Sequence, residues 1–217
     1  MRTDPHLSPR FANSALITID VQRDFLSEAE HGVEGTTEIL PELGRLARHF
    51  RRAGRPIVHV VRLYPAGGED ADLVRRTLLS RGASIVRPGS AGAEIAREVL
   101  PADSPGLDAE GLLGGAAQEL GPDEHALFKP RWGAFFRTRL DELLRSHDID
   151  TLVVGGCNLP NCPRATLFEG SERDYRLVLP LDAVSRYDEQ AGDELGALGV
   201  SVLTAHEVST GLTTAIG

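Results

Sequence analysis

Four side chains with nucleophilic or acid–base chemistry stand just beyond runs of apolar residues. Asp20 ends "ALITID", Lys129 follows "HALF", and Cys157 and Cys162, the only two cysteines, lie in "GGCNLPNC". A thiol attacks a carbonyl carbon as thiolate, so it needs a base for its proton and a cation to balance the charge. An aspartate, a lysine and a cysteine supply that set. Taken singly, each has a plainer use: a strand-end Asp commonly caps a helix, and a Lys there is usually a solvated charge. Their shared position after apolar runs is what gives the set weight.

The two cysteines differ in context. Cys157 prolongs an apolar run and reads as a small packed hydrophobe. Cys162 precedes Pro163, and proline is favoured at the first helical position; "RATLFEGSERD" continues as that helix. At a helix N-terminus, unpaired N–H groups and the positive end of the dipole favour a thiolate and lower its pKa. The same N–H groups are suited to hold an oxyanion. Cys162 is therefore the expected nucleophile.

The elements that must position these residues alternate in type. Residues 15–21, 56–64, 125–129, 151–156, 175–181 and 200–204 read as strands, several almost continuously aliphatic, as in a parallel sheet buried on both faces. Ile39, Leu43, Leu46, Ala47 and Phe50 recur at helical spacing before Gly54 and Pro56. Phe136, Leu140, Leu143 and Leu144 repeat that spacing, and 91–100 reads as a third helix. Alternation throughout predicts a doubly wound α/β sheet with helices on both faces. In such sheets ligands sit at the carboxyl ends of the strands, where Asp20, Lys129 and the cysteine loop would converge. The Pro-, Gly- and acid-rich stretch 101–121 reads as an insertion with one short helix around Leu112 to Leu120, and 1–12 as an N-terminal tail of a single domain, 1–217.

Composition narrows the function. The 217 residues are 41% hydrophobic and 25% charged, a globular balance, and the net charge of −9 disfavours nucleic acid and anionic membranes. No transmembrane or signal-like apolar run is present, so a cytoplasmic location is expected. The turn after the first strand, "DVQRDF", has none of the glycines of a dinucleotide site, and no phosphate-loop pattern occurs. NAD, FAD and ATP are disfavoured and no cofactor is expected.

Three separated stretches, in order, resemble the isochorismatase-like cysteine hydrolases. "LITIDVQRDF" is similar to that family's first strand and D-x-Q-x-D-F turn, "KPRWGAF" to its lysine segment, and "LVVGGCNLPNC" to its strand and nucleophile loop. The resemblance spans about residues 14 to 205. It implies an Asp20, Lys129, Cys162 triad on a three-layer α/β/α sandwich around a mainly parallel, six-stranded Rossmann-like sheet, assembled as a homodimer or homotetramer. It also implies a cis Asn158–Leu159 bond, with the backbone N–H groups of Leu159 and Cys162 facing the substrate oxygen. Two departures stand out. Leu159 and Pro160 replace the family's usual Thr-Asn or Ser-Asn-like pair, and "HVVRLYP" lacks the Asp-x-His segment of metal-binding nicotinamidases. No metal is expected, and His59 reads as a core histidine.

The expected reaction is attack of Cys162 on a small amide, carbamoyl or ureido carbonyl. Asp20 moves the protons, and Lys129 balances the charge of the carboxylate and thiolate. Phe25 and Trp132 are placed to line the pocket, Trp132 with a subunit interface as its alternative. Arg131 and Arg164 are candidates for a substrate carboxylate. Two other readings stand: a vinyl-ether hydrolase of isochorismatase type, in which the cysteine is dispensable, and a non-catalytic binding protein on the same fold.

Overall fold

The computed structural model describes residues 4–68 and 70–216. Seven strands form one sheet: β1 (Ser14–Ile19), β2 (Ile57–Val61), β3 (Gln118–Gly121), β4 (Glu124–Phe128), β5 (Thr151–Gly156), β6 (Arg176–Pro180) and β7 (Ser201–Leu203), in the order β3-β4-β2-β1-β5-β6-β7. Six strands are parallel, and β3 adds an antiparallel edge. The helices are α1 (Leu40–Arg52), α2 (Leu73–Ser80), α3 (Ala109–Leu113), α4 (Leu140–Ser146), α5 (Cys162–Ser171), α6 (Glu189–Ala197) and α7 (Ala205–Ile216). None is long and apolar enough to cross a membrane.

Continuous apolar strands follow from burial on both faces. On one side Leu16 and Val153 pack with Leu43, Leu46 and Phe50 of α1 and Val208 and Leu212 of α7. On the other, Ala15, Ile17, Leu152 and Val154 pack with Leu140 and Leu144 of α4, Leu167 of α5 and Leu195 of α6. The result is the expected three-layer α/β/α sandwich, with one strand more than the six expected.

That extra strand lies in the 101–121 insertion. The helix expected around Leu112 to Leu120 stops at Leu113, where Gly114 and Gly115 (φ +88°) break it, and Gln118–Gly121 pairs with β4 instead. Nor is 91–100 a helix. It is two 3-10 turns, Ala91–Ala93 and Arg97–Val99, flanking an extended stretch in which Ile95 bridges to Gln22 and the Ala96 N–H donates to the Val21 carbonyl. Pairing with the end of the first strand overrides the local helical spacing. Phe136 stands outside α4 and is exposed, because Arg137 turns left-handed (φ +55°) before the helix begins. Of the expected N-terminal tail, residues 1–3 lie outside the described residues. Phe11–Asn13 forms a 3-10 turn, with Phe11 packed on the core. The α2 helix escapes the hydrophobic pattern, for its Leu73 and Val74 face solvent.

Candidate active site

Between β1 and β5 the sheet changes direction: the chain runs outward through β2 and β4 on one side and through β6 and β7 on the other. A crevice opens at the carboxyl ends of strands at such a switch point. Here it is a cleft of about 230 Å³ lined by Asp20, Arg62 and Cys162 among others. Four strand ends supply its chemistry: Asp20 after β1, Arg62 after β2, Lys129 after β4, and the loop with Cys157 and Cys162 after β5.

Lys129 is fully buried beneath the cleft, and its Nζ donates to Asp20 Oδ2 at 2.8 Å. A charge sealed from water persists only with a partner this close. Asp20 is itself 5% exposed and adopts φ +52°, a left-handed conformation that Asp tolerates better than most residues. Its other oxygen, Oδ1, is buried without a hydrogen-bond partner among the described residues. The Cys162 thiol lines the same cleft and feels the charge of this carboxylate.

The turn after β1 is braced by its own side chains. Gln22, fully buried, donates through Nε2 to the carbonyls of Arg62 (2.8 Å) and Ala93 (2.7 Å) and accepts the Arg62 N–H. Asp24 accepts the Val86 N–H at 2.6 Å. Gly156, at the end of β5, has φ +111°, and a Cβ there would fall 2.3 Å from the Ile19 carbonyl oxygen. Only glycine lets β5 approach β1 this closely just before the cysteine loop.

Cys162 is the first residue of α5, and its N–H takes no acceptor among the described residues. Its thiol departs from expectation. Burial first, and then the neighbouring Asp20 charge, push it up to about 12, against the pull of Lys129 and Arg62. The helix N-terminus does not leave a resting thiolate, because desolvation and a neighbouring carboxylate charge favour the neutral thiol. Cys157 is likewise raised, to about 11, chiefly by burial.

The expected cis bond is absent: no peptide bond among the described residues is cis. Leu159 is fully buried and its N–H donates to the Ser185 carbonyl at 2.9 Å, so it does not face the cleft as an oxyanion donor. Phe25 and Trp132 both line the cleft, Trp132 at its mouth with 38% exposure. Arg131 and Arg164 do not. Arg131 is bound to the Asp70 carbonyl and carboxylate and to the Pro130 carbonyl, and Arg164 pairs with Glu194. His59 is sealed in the sheet between Thr18 Oγ1 (2.7 Å) and Glu124 Oε1 (2.8 Å). No group of three or more His, Cys, Asp or Glu is arranged for a metal ion among the described residues.

Sequence reasoning passed over Arg62, Tyr64, Asp72 and the amides of Asn158 and Asn161, all of which line the cleft. Arg62 had a signal. It follows β2 as Asp20 follows β1, but the apolar run to Tyr64 hid the strand's end at Val61.

Comparison with known proteins places this arrangement. The model of the Isochorismatase domain matches residues 14–207. A protein of Arabidopsis thaliana named probable inactive nicotinamidase is 30% identical over 94% of this chain and 98% of its own length. A ureidoacrylate amidohydrolase of Methylobacterium radiotolerans is 28% identical over 84% of this chain and 69% of its own. The crystal structure of an isochorismatase family protein from Desulfovibrio vulgaris superposes with a TM-score of 0.78 at 32% identity, covering 93% of this chain and 98% of that one.

Proposed function

The chain belongs to the isochorismatase family of hydrolases, and from that premise we propose that it cleaves the C–N bond of a small amide, carbamoyl or ureido compound through a thioacyl-enzyme on Cys162. The observation that carries this reading is the meeting at one cleft of a thiol at a helix head and a carboxylate with an unpartnered buried oxygen, its other oxygen held by a lysine buried beneath the cleft. That one relative is a ureidoacrylate amidohydrolase agrees with it.

Because the resting thiol is neutral, attack and deprotonation are coupled. Sγ bonds to the carbonyl carbon as its proton passes to Asp20, and the carbonyl π electrons move onto oxygen. The Cys162 N–H receives the oxyanion, an interaction of the kind worth about 3–4 kcal/mol per donor. Asp20 then protonates the departing nitrogen as the C–N bond breaks. Water attacks the thioester, yielding its proton to Asp20, and the C–S bond breaks as the thiol recovers that proton. Lys129 stays paired throughout and keeps the buried carboxylate from standing alone.

The test is ammonia and amine release by wild type and Cys162→Ala over small amides, carbamoyl compounds and ureido acids, with isochorismate read by pyruvate. Release should appear on at least one C–N substrate and fall to background in the variant. Pyruvate formation that survives the substitution would replace this reading with vinyl-ether hydrolysis. Binding of these compounds without turnover of any would place the chain with its probably inactive Arabidopsis relative.

A further inference from the structure

The Arg62 guanidinium is only half used by the protein. Its Nη1 donates to Asp72 Oδ2 at 2.8 Å and to the Pro130 carbonyl at 2.9 Å. Its Nε and Nη2 make no hydrogen bond to any described residue, yet neither is sealed from solvent. The residue is 3% exposed and lines the cleft. The Tyr64 ring lies 5.4 Å from its Cζ, and the main chain on either side of the fork is fixed by Gln22. Nη1 is therefore held, and the other three N–H bonds of the fork are unused by the protein in a residue that lines the cleft. A planar, charged, preorganised edge of this kind matches a carboxylate in two parallel hydrogen bonds. Cys162 lines the same small cleft as Arg62, so an anion on the fork and the thiol share one space. The cleft's 230 Å³ lies below the ~300–1,000 Å³ of sites for drug-sized ligands, which leaves room only for a compact molecule.

We infer that Arg62 is the substrate-carboxylate anchor, and that the substrate is a short amide, carbamoyl or ureido acid whose carboxylate lies on the free Nε–Nη2 edge. This rests on the reading of Cys162 as the reactive thiol. It also moves the carboxylate role from Arg131 and Arg164, whose guanidinium groups are engaged elsewhere, to a residue inside the cleft.

Two alkylating reagents of one shape test it without knowledge of the substrate. Iodoacetate carries a carboxylate where iodoacetamide carries a neutral amide, and with either the sulfur displaces iodide, forming a C–S bond as the thiol proton leaves. Mass spectrometry locates the adduct at Cys162 or Cys157. Wild type should favour iodoacetate at Cys162, and Arg62→Gln should lower the iodoacetate-to-iodoacetamide rate ratio at least tenfold, a ratio in which the common slowing from loss of a cation near the thiol cancels. Arg131→Gln should leave the ratio unchanged. Should Arg62→Gln fold poorly, protection of wild-type Cys162 from iodoacetamide gives the same answer: propionate should protect and propionamide should not. If iodoacetamide is the faster reagent in wild type and propionate gives no protection, the anchor is refuted while the cysteine hydrolase stands. If neither reagent modifies Cys162, both fall together.

Discussion

Asp20 is paired with Lys129 in a salt bridge, and the two charges pull the neighbouring Cys162 thiol in opposite directions. The carboxylate raises the thiol and the ammonium lowers it. Removing the carboxylate charge in Asp20→Asn should therefore lower the thiol from its value of about 12, whereas Lys129→Met should raise it further. Iodoacetamide modification of Cys162 at mildly alkaline pH should speed up in the first variant and slow in the second, since each pH unit below the thiol's value costs roughly tenfold in thiolate. Hydrolysis should nevertheless fall in both. In Asp20→Asn the proton acceptor is gone, a loss of about 10²–10⁴-fold. Each substitution strands a buried charge and should cost about 3–5 kcal/mol of stability, so the rates belong to cold, folded protein verified by circular dichroism. Alkylation moving the same way in both variants would mean that general loosening, not charge, controls the thiol.

At the scale of elements, legibility tracked how local the cause was. The strands delivering Asp20, Lys129 and Cys162 were readable because burial on both faces leaves an uninterrupted apolar run. Residues 91–100 were misread because their partner, the turn at Val21–Arg23, lies far off in sequence. Arg62 was missed because β2 ends inside an apolar run, and the engagement of the Leu159 N–H depends on Ser185, a contact no local pattern announces. Distant partners also stabilise the interior of the sheet. Glu124 on β4 is 1% exposed and accepts from Arg51 of α1 through both oxygens at 2.7 Å, and it meets His59 on β2. Burial pushes its carboxyl upward, but the hydrogen bonds from Arg51 and His59 outweigh that and leave it lowered. A carboxyl lowered on folding contributes stability above its unfolded value, about 4.3, and loses it as pH falls through the folded one. Glu124→Gln should cost about 1.5–3 kcal/mol at neutral pH, and the gap in Tm from wild type should narrow as the buffer is taken below pH ~4. A gap independent of pH would assign the loss to packing alone. Gly156→Ala, at φ +111° against the Ile19 carbonyl, should cost about 1–3 kcal/mol and depress activity with it, because the same contact seats the cysteine loop.

For the molecule as a whole, the site is assembled from both halves of a sheet joined where β1 pairs with β5 along the full six residues of each. Neither half keeps the cleft alone: Asp20, Arg62 and Lys129 come from one side of that seam and Cys162 from the other. The cores above and below the sheet share these strands, with Leu16 and Val153 facing one and Ile17 and Val154 the other. Loss of either core would expose the seam, so unfolding should be one transition. Two residues make this measurable. Trp132, the only tryptophan, sits at the mouth of the cleft, and Cys157, 4% exposed, sits at its floor beside β5. In a urea series, far-ultraviolet circular dichroism, Trp132 fluorescence and disulfide-reagent labelling of Cys157 in a Cys162→Ala background should share one midpoint. Labelling of Cys157 at urea concentrations where the dichroism is still native would show the carboxyl-end loops opening as a unit of their own. In that case the cleft would be a local, separable structure rather than a consequence of the sheet. Coincident curves would instead make the active site as stable as the fold, since the pairing of β1 with β5 holds both.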